Sequence, residues 1–208
     1  MDNIIQGSDE WFKERLGKVT ASRIADLMAK TKSGWGAGRK NYEAQLIAER
    51  LTGEVAETFK SPAMERGNEV EAEARANYEF MNDVTVQEVG FVSHPSIQES
   101  GASPDGLVGN DGLVEIKCPN TATHLETLLG GSIKGNYTKQ MQWQMACTER
   151  KWCDFVSYDP RLPASLQMHV RRIHADHELI ISIEDHVRDF IADMNDKIQQ
   201  LLPKEAAE

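Results

Sequence analysis

Two carboxylates and an ammonium gathered on one short hairpin constrain this chain more than any other feature. Ser103-Pro104-Asp105-Gly106 leads into Leu107-Val108, Gly109-Asn110-Asp111-Gly112 tolerates the positive φ angles of a tight turn, and Leu113-Val114-Glu115-Ile116-Lys117 returns. The pattern predicts strand, turn, strand, with Glu115 ten residues after Asp105. Side chains alternate along a strand, so Glu115 and Lys117 share one face while Val114 and Ile116 point into a core. Asp105 falls at the far end of the partner strand, close enough to share a cation with Glu115.

The residue types fit hydrolysis of a phosphodiester. That reaction needs a highly charged transition state neutralised and hydroxide supplied at neutral pH, and a hard divalent cation on oxygen ligands does both. Asp105, Glu115 and the backbone carbonyl of Ile116 would hold the ion. Lys117, with three donors and no acceptor, would position or help deprotonate the attacking water and offset charge on the phosphoryl group. An acid, any residue, then Lys is expected about once or twice by chance at ordinary composition. Here it also occurs at Glu149-Arg150-Lys151, after a helical stretch and without a paired aspartate, as a solvated helix end. Glu115 differs because it lies in an apolar strand, where a purely structural sequence gains nothing from two charges on one face.

These motifs, extended by Cys118-Pro119 and by Trp11, Arg15-Leu16-Gly17 and Thr20-Ala21-Ser22, resemble the phage lambda-type alkaline exonucleases, the YqaJ-like viral recombinases, from about Gly7 to Arg161. The Pro-Asp and Glu-x-Lys pair alone marks the wider restriction-endonuclease-like superfamily. The resemblance implies an α/β (α+β) fold with a central mixed sheet flanked by helices, and a phage or prophage protein acting in the bacterial cytoplasm. It implies a Mg²⁺-dependent exonuclease, Mn²⁺ substituting, that digests linear double-stranded DNA from 5' ends, releases 5'-mononucleotides and leaves a 3' single strand for recombination. It further implies a homotrimeric ring around the DNA and a single-strand annealing protein as partner. By the same resemblance Arg15, Ser22 and Ser103 match a pocket for the terminal 5'-phosphate, where a guanidinium fork and two hydroxyls suit a dianion. Tyr137 and Gln140 match residues beside the active site, with Gln140 near the lysine or the water. The family's arginine shortly after Cys-Pro has no counterpart in Asn120-Thr121-Ala122-Thr123-His124. Either His124, Lys134 or another cation substitutes, or the 5'-phosphate preference is weaker.

Periodicity adds one more acid. Ser61-Pro62 opens a helix running to about Phe80, Pro at its first position. Met64, Glu71, Ala74 and Tyr78 fall on its inward stripe while Glu69 and Glu73 point elsewhere. An inward glutamate needs a partner, and the cation beside Asp105 and Glu115 is the obvious one. The family's helical metal-assisting glutamate matches Glu71 as well.

The remaining elements read as helices from Ser8, from Thr20 or Ser22, and over Asn41–Leu51 with Gly53 as stop; a loop from Lys32 to Gly38; a strand from Val84 to Ser93; helices over Thr123–Leu129 and Tyr137–Thr148; strands over Trp152–Tyr158 and Leu166–Ile173; and a closing helix from Asp176 to Leu202. At 208 residues with 40% apolar content and no linker tract, one nuclease domain over 1–208 is expected. Three cysteines without a Cys-x-x-Cys pair and no apolar run of membrane length indicate a reducing, cytoplasmic setting.

The net charge of -10 works against casual DNA binding. A local basic block, Lys13, Arg15, Lys18, Arg23, Lys30, Lys32, Arg39 and Lys40, can still line a DNA channel. Trp35, in the Lys32–Gly38 loop, is a candidate subunit or DNA contact. His174-x-x-His177 lacks further ligands at zinc spacing, three cysteines do not hold an iron-sulfur cluster, and no glycine-rich loop ends in Gly-Lys-Ser/Thr, so no nucleotide cofactor is expected. Two other functions remain open: an endonuclease sharing the core, and a non-catalytic module that binds DNA ends.

Overall fold

The structure, a computed structural model, describes residues 4–56 and 62–202 and, within the second stretch, the side chain of Arg66 and those from Glu69 onward. Ser61 at the expected helix start and the Met64 side chain on its stripe lie outside the described residues. The chain opens with α1, Asp9–Arg15, capped by the Ser8 hydroxyl, which accepts from the Trp11 N–H. Strand β1, Val19–Thr20, leads into a 3₁₀ turn over Ala21–Arg23 and the short α2, Ile24–Leu27.

Where a loop was expected from Lys32, a two-stranded ribbon forms instead, β2, Lys30–Thr31, with β3, Gly34–Trp35, and α3, Ala37–Thr52, begins at once. Gly53 ends α3 in the left-handed region, as the sequence indicates. Helix α4 spans Pro62–Asn82. The single strand expected over 84–93 is two, β4, Val86–Gln87, and β5, Val92–Ser93, and they belong to different sheets. The crossing passes Gly90, where a Cβ would strike the Ile4 carbonyl. Strand β6, Ser100–Ala102, which the sequence reading missed, pairs with both β1 and β5.

The hairpin forms as expected from β7, Gly106–Val108, and β8, Gly112–Lys117, with Gly109 at φ +54 in the turn. Then come α5, Thr121–Leu128; α6, Gly135–Thr148; β9, Trp152–Tyr158; β10, Met168–His174; and α7, His177–Leu201. The main sheet runs β10-β9-β8-β7-β4 and is mixed, β8 lying parallel to β9 and antiparallel to β7. That is the α/β fold with a central mixed sheet flanked by helices that the sequence implied.

Two helices cover the faces of β8. Val114 and Ile116 pack with Ala74 and Tyr78 of α4, and Leu113 packs with Met141 and Met145 of α6. The face bearing Glu115 is therefore buried as well, and Glu115 has no exposed surface. Helix α6 is buried on most of its circumference because it lies between the sheet and a second layer. Trp143 and Cys147 join a core formed with α2, α3 and α7, while Gln142 donates to the His174 carbonyl and accepts from the Asp176 N–H.

Several basic residues turn out to be structural. Arg39 is buried against Trp35 and Phe190 and pairs with Asp193, and Trp35 is held by Lys30, Arg39 and the edge of His186. Arg39 is thus withdrawn from the basic block that the sequence suggested, while Trp35 stays half-buried. Arg150, in the segment read as a solvated helix end, donates to the carbonyls of Val108, Gly109 and Gly112 and so ties down the turn of the β7–β8 hairpin. Among the described residues no helix is long and apolar enough to cross a membrane.

Candidate active site

Strand β8 brings Glu115 and Lys117 to the middle of the sheet, and Pro104-Asp105 enters just where β7 begins. Gly106 must follow Asp105 because a Cβ there would collide with Val86 of the neighbouring β4. Asp105 Oδ2 accepts the Ile116 N–H at 2.6 Å. Since the N–H and C=O of one strand residue leave the same edge, the Ile116 carbonyl faces the same side, past the end of β7. Asp105, Glu115, Ile116 and Lys117 are thereby drawn together as the spacing indicated.

Glu115 is gripped from three directions. Its Oε1 accepts Gln140 Nε2 at 2.6 Å and the Lys117 ammonium, and its Oε2 accepts Gln144 Nε2 at 2.6 Å. These are charge-assisted hydrogen bonds in a buried setting, the strong kind. Gln140 therefore engages the carboxylate rather than the lysine. Gln144 was visible in sequence only as a polar position one turn beyond Gln140; no local signal ties it to a residue 29 positions earlier.

Glu71, on α4, comes to the same place. Its carboxylate pairs with Arg75 at 3.2 Å, and Arg75 also reaches Glu88 at 2.6 Å. Glu73, expected to point elsewhere, is exposed yet accepts the Tyr158 hydroxyl. Burial pushes the Asp105 carboxyl well above the usual range, and the Glu115 and Glu71 charges push it further against the pull of Lys117 and the Ile116 N–H. Burial raises Glu71 too, with Arg75 and Lys117 opposing and Glu115 adding. For Lys117 burial disfavours the charge, but Glu115 and Asp105 outweigh it and hold the ammonium above its ordinary value. Without a cation on those carboxylates Lys117 is held as an ammonium, a hydrogen-bond donor.

The donor chemistry suits a hard cation. Three carboxylates, with a main-chain carbonyl alongside, form a site whose negative charge Lys117 and Arg75 do not fully balance. Among the described residues no three His, Cys, Asp or Glu side chains form a ready cage, so the candidate set is Asp105, Glu115 and the Ile116 carbonyl, with Glu71 behind them on Arg75.

A cavity of about 660 Å³ opens on this cluster and joins it to the N-terminal motif. Its wall includes Asp105 and Glu71 together with Trp11, Arg15, Ser22 and Arg23. Trp11 organises this wall: its indole N–H donates to Ser103 Oγ at 2.9 Å, and the Arg15 guanidinium lies over its ring at 3.8 Å. Burial lowers the Arg15 pKa, with Tyr42 and Glu49 opposing.

Tyr137 sits apart from that wall. It stacks on Phe155 at 5.9 Å and lines a second hollow of about 560 Å³ on the other side of Lys117, together with Lys134. His124 is excluded as a phosphate contact, because its ring nitrogens are engaged by Ser157 Oγ at 2.7 Å and the Leu166 carbonyl at 2.8 Å in a buried site. Lys18 and Arg23 line the first cavity and supply further positive charge there.

Comparison with known proteins adds the lineage. Residues 10–151 match the YqaJ-like viral recombinase domain family. An alkaline exonuclease from Laribacter hongkongensis, LHK-Exo, is 53% identical, with a TM-score of 0.88 over 93% of this chain and 96% of that one. Its complex with dAMP superposes equally well, TM-score 0.88. A phage related exonuclease from Haemophilus somnus shares the fold at 16% identity, TM-score 0.67, over 89% of this chain and 96% of that one. An uncharacterized protein of Acanthamoeba polyphaga mimivirus is 27% identical over 167 residues, 73% of this chain, and the chain spans 28% of that protein's length.

Proposed function

The chain belongs to the YqaJ-like viral recombinase family, and from that premise we propose that it is a Mg²⁺-dependent exonuclease that degrades linear double-stranded DNA from 5' ends and leaves a 3' single strand for annealing. One observation carries this: the cavity that joins Arg15 and Ser22 to Asp105 and Glu71. Its volume is in the range of small-molecule sites, enough for a terminal nucleotide. An enzyme cutting internal bonds has no use for an end-binding wall continuous with its carboxylates.

In this reading Arg15, on the Trp11 face, and the hydroxyls of Ser22 and Ser103 hold the terminal phosphate. Asp105, Glu115 and the Ile116 carbonyl hold Mg²⁺, or Mn²⁺ in its place, with Glu71 assisting; the cation supplies an activated water and neutralises phosphoryl charge. Gln140 and the neighbouring amide keep Glu115 oriented. Lys117 donates to the water or to the phosphoryl oxygens where negative charge builds. Tyr137 borders Lys117 from the second hollow. Confinement in a homotrimeric ring would keep a chain of net charge -10 on its track, and a single-strand annealing protein would take up the exposed strand.

The test is digestion of end-labelled linear duplex beside a closed circle, with and without Mg²⁺. Mononucleotide release from the 5' label with the circle untouched is expected. Ends bearing 5'-hydroxyl should be cut more slowly, and Arg15→Ala should erase that difference. Nicking of the circle would replace this reading with an endonuclease, and binding without cleavage in either metal would leave an end-binding module.

The carboxylate cluster also predicts a pH dependence. Asp105 and Glu71 have folded-state pKa values above their ordinary 3.8 and 4.5, so the stability they contribute is full at acid pH and is lost as pH rises through those raised values. A divalent cation relieves the repulsion only once the carboxylates are ionised. The rise in melting temperature caused by millimolar Mg²⁺ should therefore be larger at pH 8 than at pH 5. Taking the difference with and without Mg²⁺ at each pH cancels groups remote from the site, such as His94. Equal shifts at both pH values would remove these carboxylates from the cation site.

A further inference from the structure

Gln144 is fully buried, and its Nε2 donates to Glu115 Oε2 at 2.6 Å. Its own Oε1 has no hydrogen-bond partner among the described residues. A buried amide left half satisfied is disfavoured, and packing does not ask for one here. Its neighbours on α6, Met141 and Met145, are apolar and equally buried, so an unbranched apolar side chain would fill the space. Turning the amide over would set Oε1 against the carboxylate oxygen, so the observed orientation is the one in which an N–H donor meets Glu115.

The effect on Glu115 is geometric. A carboxylate offers about four lone-pair directions. Gln140 and Lys117 occupy directions on Oε1 and Gln144 occupies one on Oε2. Roughly one direction is left, on Oε2, and Gln144 fixes where it points.

We propose that Gln144 is a positioning residue that locks Glu115 into one-oxygen coordination of the divalent cation, setting metal affinity without touching DNA. This rests on the cation-dependent reading of the site. Gln140 alone cannot do it, because it grips only the oxygen that Lys117 also grips. An outer partner of this kind is worth about 10–100-fold in metal affinity.

The test uses the full-length chain and Ca²⁺ as the probe, read as the rise in melting temperature against cation concentration, so that no turnover is involved. Gln144→Met keeps the side-chain length and removes the donor. Its Ca²⁺ midpoint should move up by about 10-fold or more, while the melting temperature without metal falls with the loss of one hydrogen bond to Glu115, KM for linear DNA ends stays close to the unchanged chain and kcat falls. A Ca²⁺ midpoint equal to that of the unchanged chain would overturn the proposal. If the unchanged chain itself shows no response to Ca²⁺, Mg²⁺ or Mn²⁺, the metal reading fails instead, and the two failures are distinct. Should Gln144→Met not fold, the unchanged chain labelled with ¹⁵N-glutamine decides: the Gln144 side-chain amide signals should shift as Ca²⁺ saturates, and signals that stay still overturn the assignment.

Discussion

Asp105→Asn is expected to abolish metal-dependent cleavage while making the metal-free protein more stable at pH 8. The amide keeps the shape, and its oxygen still accepts the Ile116 N–H that Oδ2 accepts now. What disappears is a charge that burial, Glu115 and Glu71 all oppose. Loss of an ion ligand should exceed the roughly 10–100-fold effect of an outer partner. The gain in stability should appear as a few degrees in melting temperature, since about 1 kcal/mol moves a chain of this size by roughly 2–4 °C. The gain should vanish at acid pH, where Asp105 is already protonated. Measuring cleavage and melting side by side separates the outcomes: a variant that is both inactive and less stable would mean that Asp105 is a structural hydrogen-bond acceptor first.

Lys117→Met should lower turnover by about 10²–10³-fold, the range for removing one donor aimed at developing charge. Binding of linear ends in Ca²⁺ should survive, because Lys117 lines the second hollow rather than the cavity that Arg15 lines. Stability moves the other way from Asp105→Asn. Glu115 and Asp105 hold the ammonium charged, so its removal leaves their repulsion uncompensated and should lower the melting temperature, with added cation restoring part of the loss. Undiminished cleavage would take Lys117 out of the reaction, and a loss of end binding equal to the loss of turnover would move it to the substrate site.

The opposite stability effects follow from one cause. The site concentrates negative charge that the fold alone does not neutralise, as functional sites commonly do. Gln140, Gln144 and the Ile116 N–H hold Glu115 and Asp105 in place with directed hydrogen bonds from neutral donors. Directed bonds of this sort orient carboxylates without cancelling their charge, which leaves them able to attract a cation.

What was legible in the sequence was local. The β7–β8 hairpin, its turn at Gly109, the shared face of Glu115 and Lys117, the Ser8 cap and the Gly53 stop each depend on residues within a few positions of one another. Strand alternation and capping chemistry are short-range rules, so sequence spacing suffices to apply them. Glu71 could be chosen among five acids on α4 because helical periodicity is equally local.

The readings that changed depended on distant contacts. Residues 84–93 look like one strand, but Val86 pairs with Val108 and Val92 with Ala102, so the segment is divided between two sheets. Trp35 looks exposed until Arg39 stacks over it and His186 arrives from α7. His124 looks like a spare cation until Ser157 and the Leu166 carbonyl engage its ring.

By itself, then, the sequence determined the donor types, their hairpin and the family to which they belong, because these are written in adjacent residues. Only the tertiary structure decided which amides grip Glu115, that Trp11 organises Arg15 and Ser103, and that one cavity joins the end-binding wall to the carboxylates. Apart from the Trp11–Arg15 contact within one helical turn, those relations link positions 25 to 92 residues apart, and packing rather than spacing sets them.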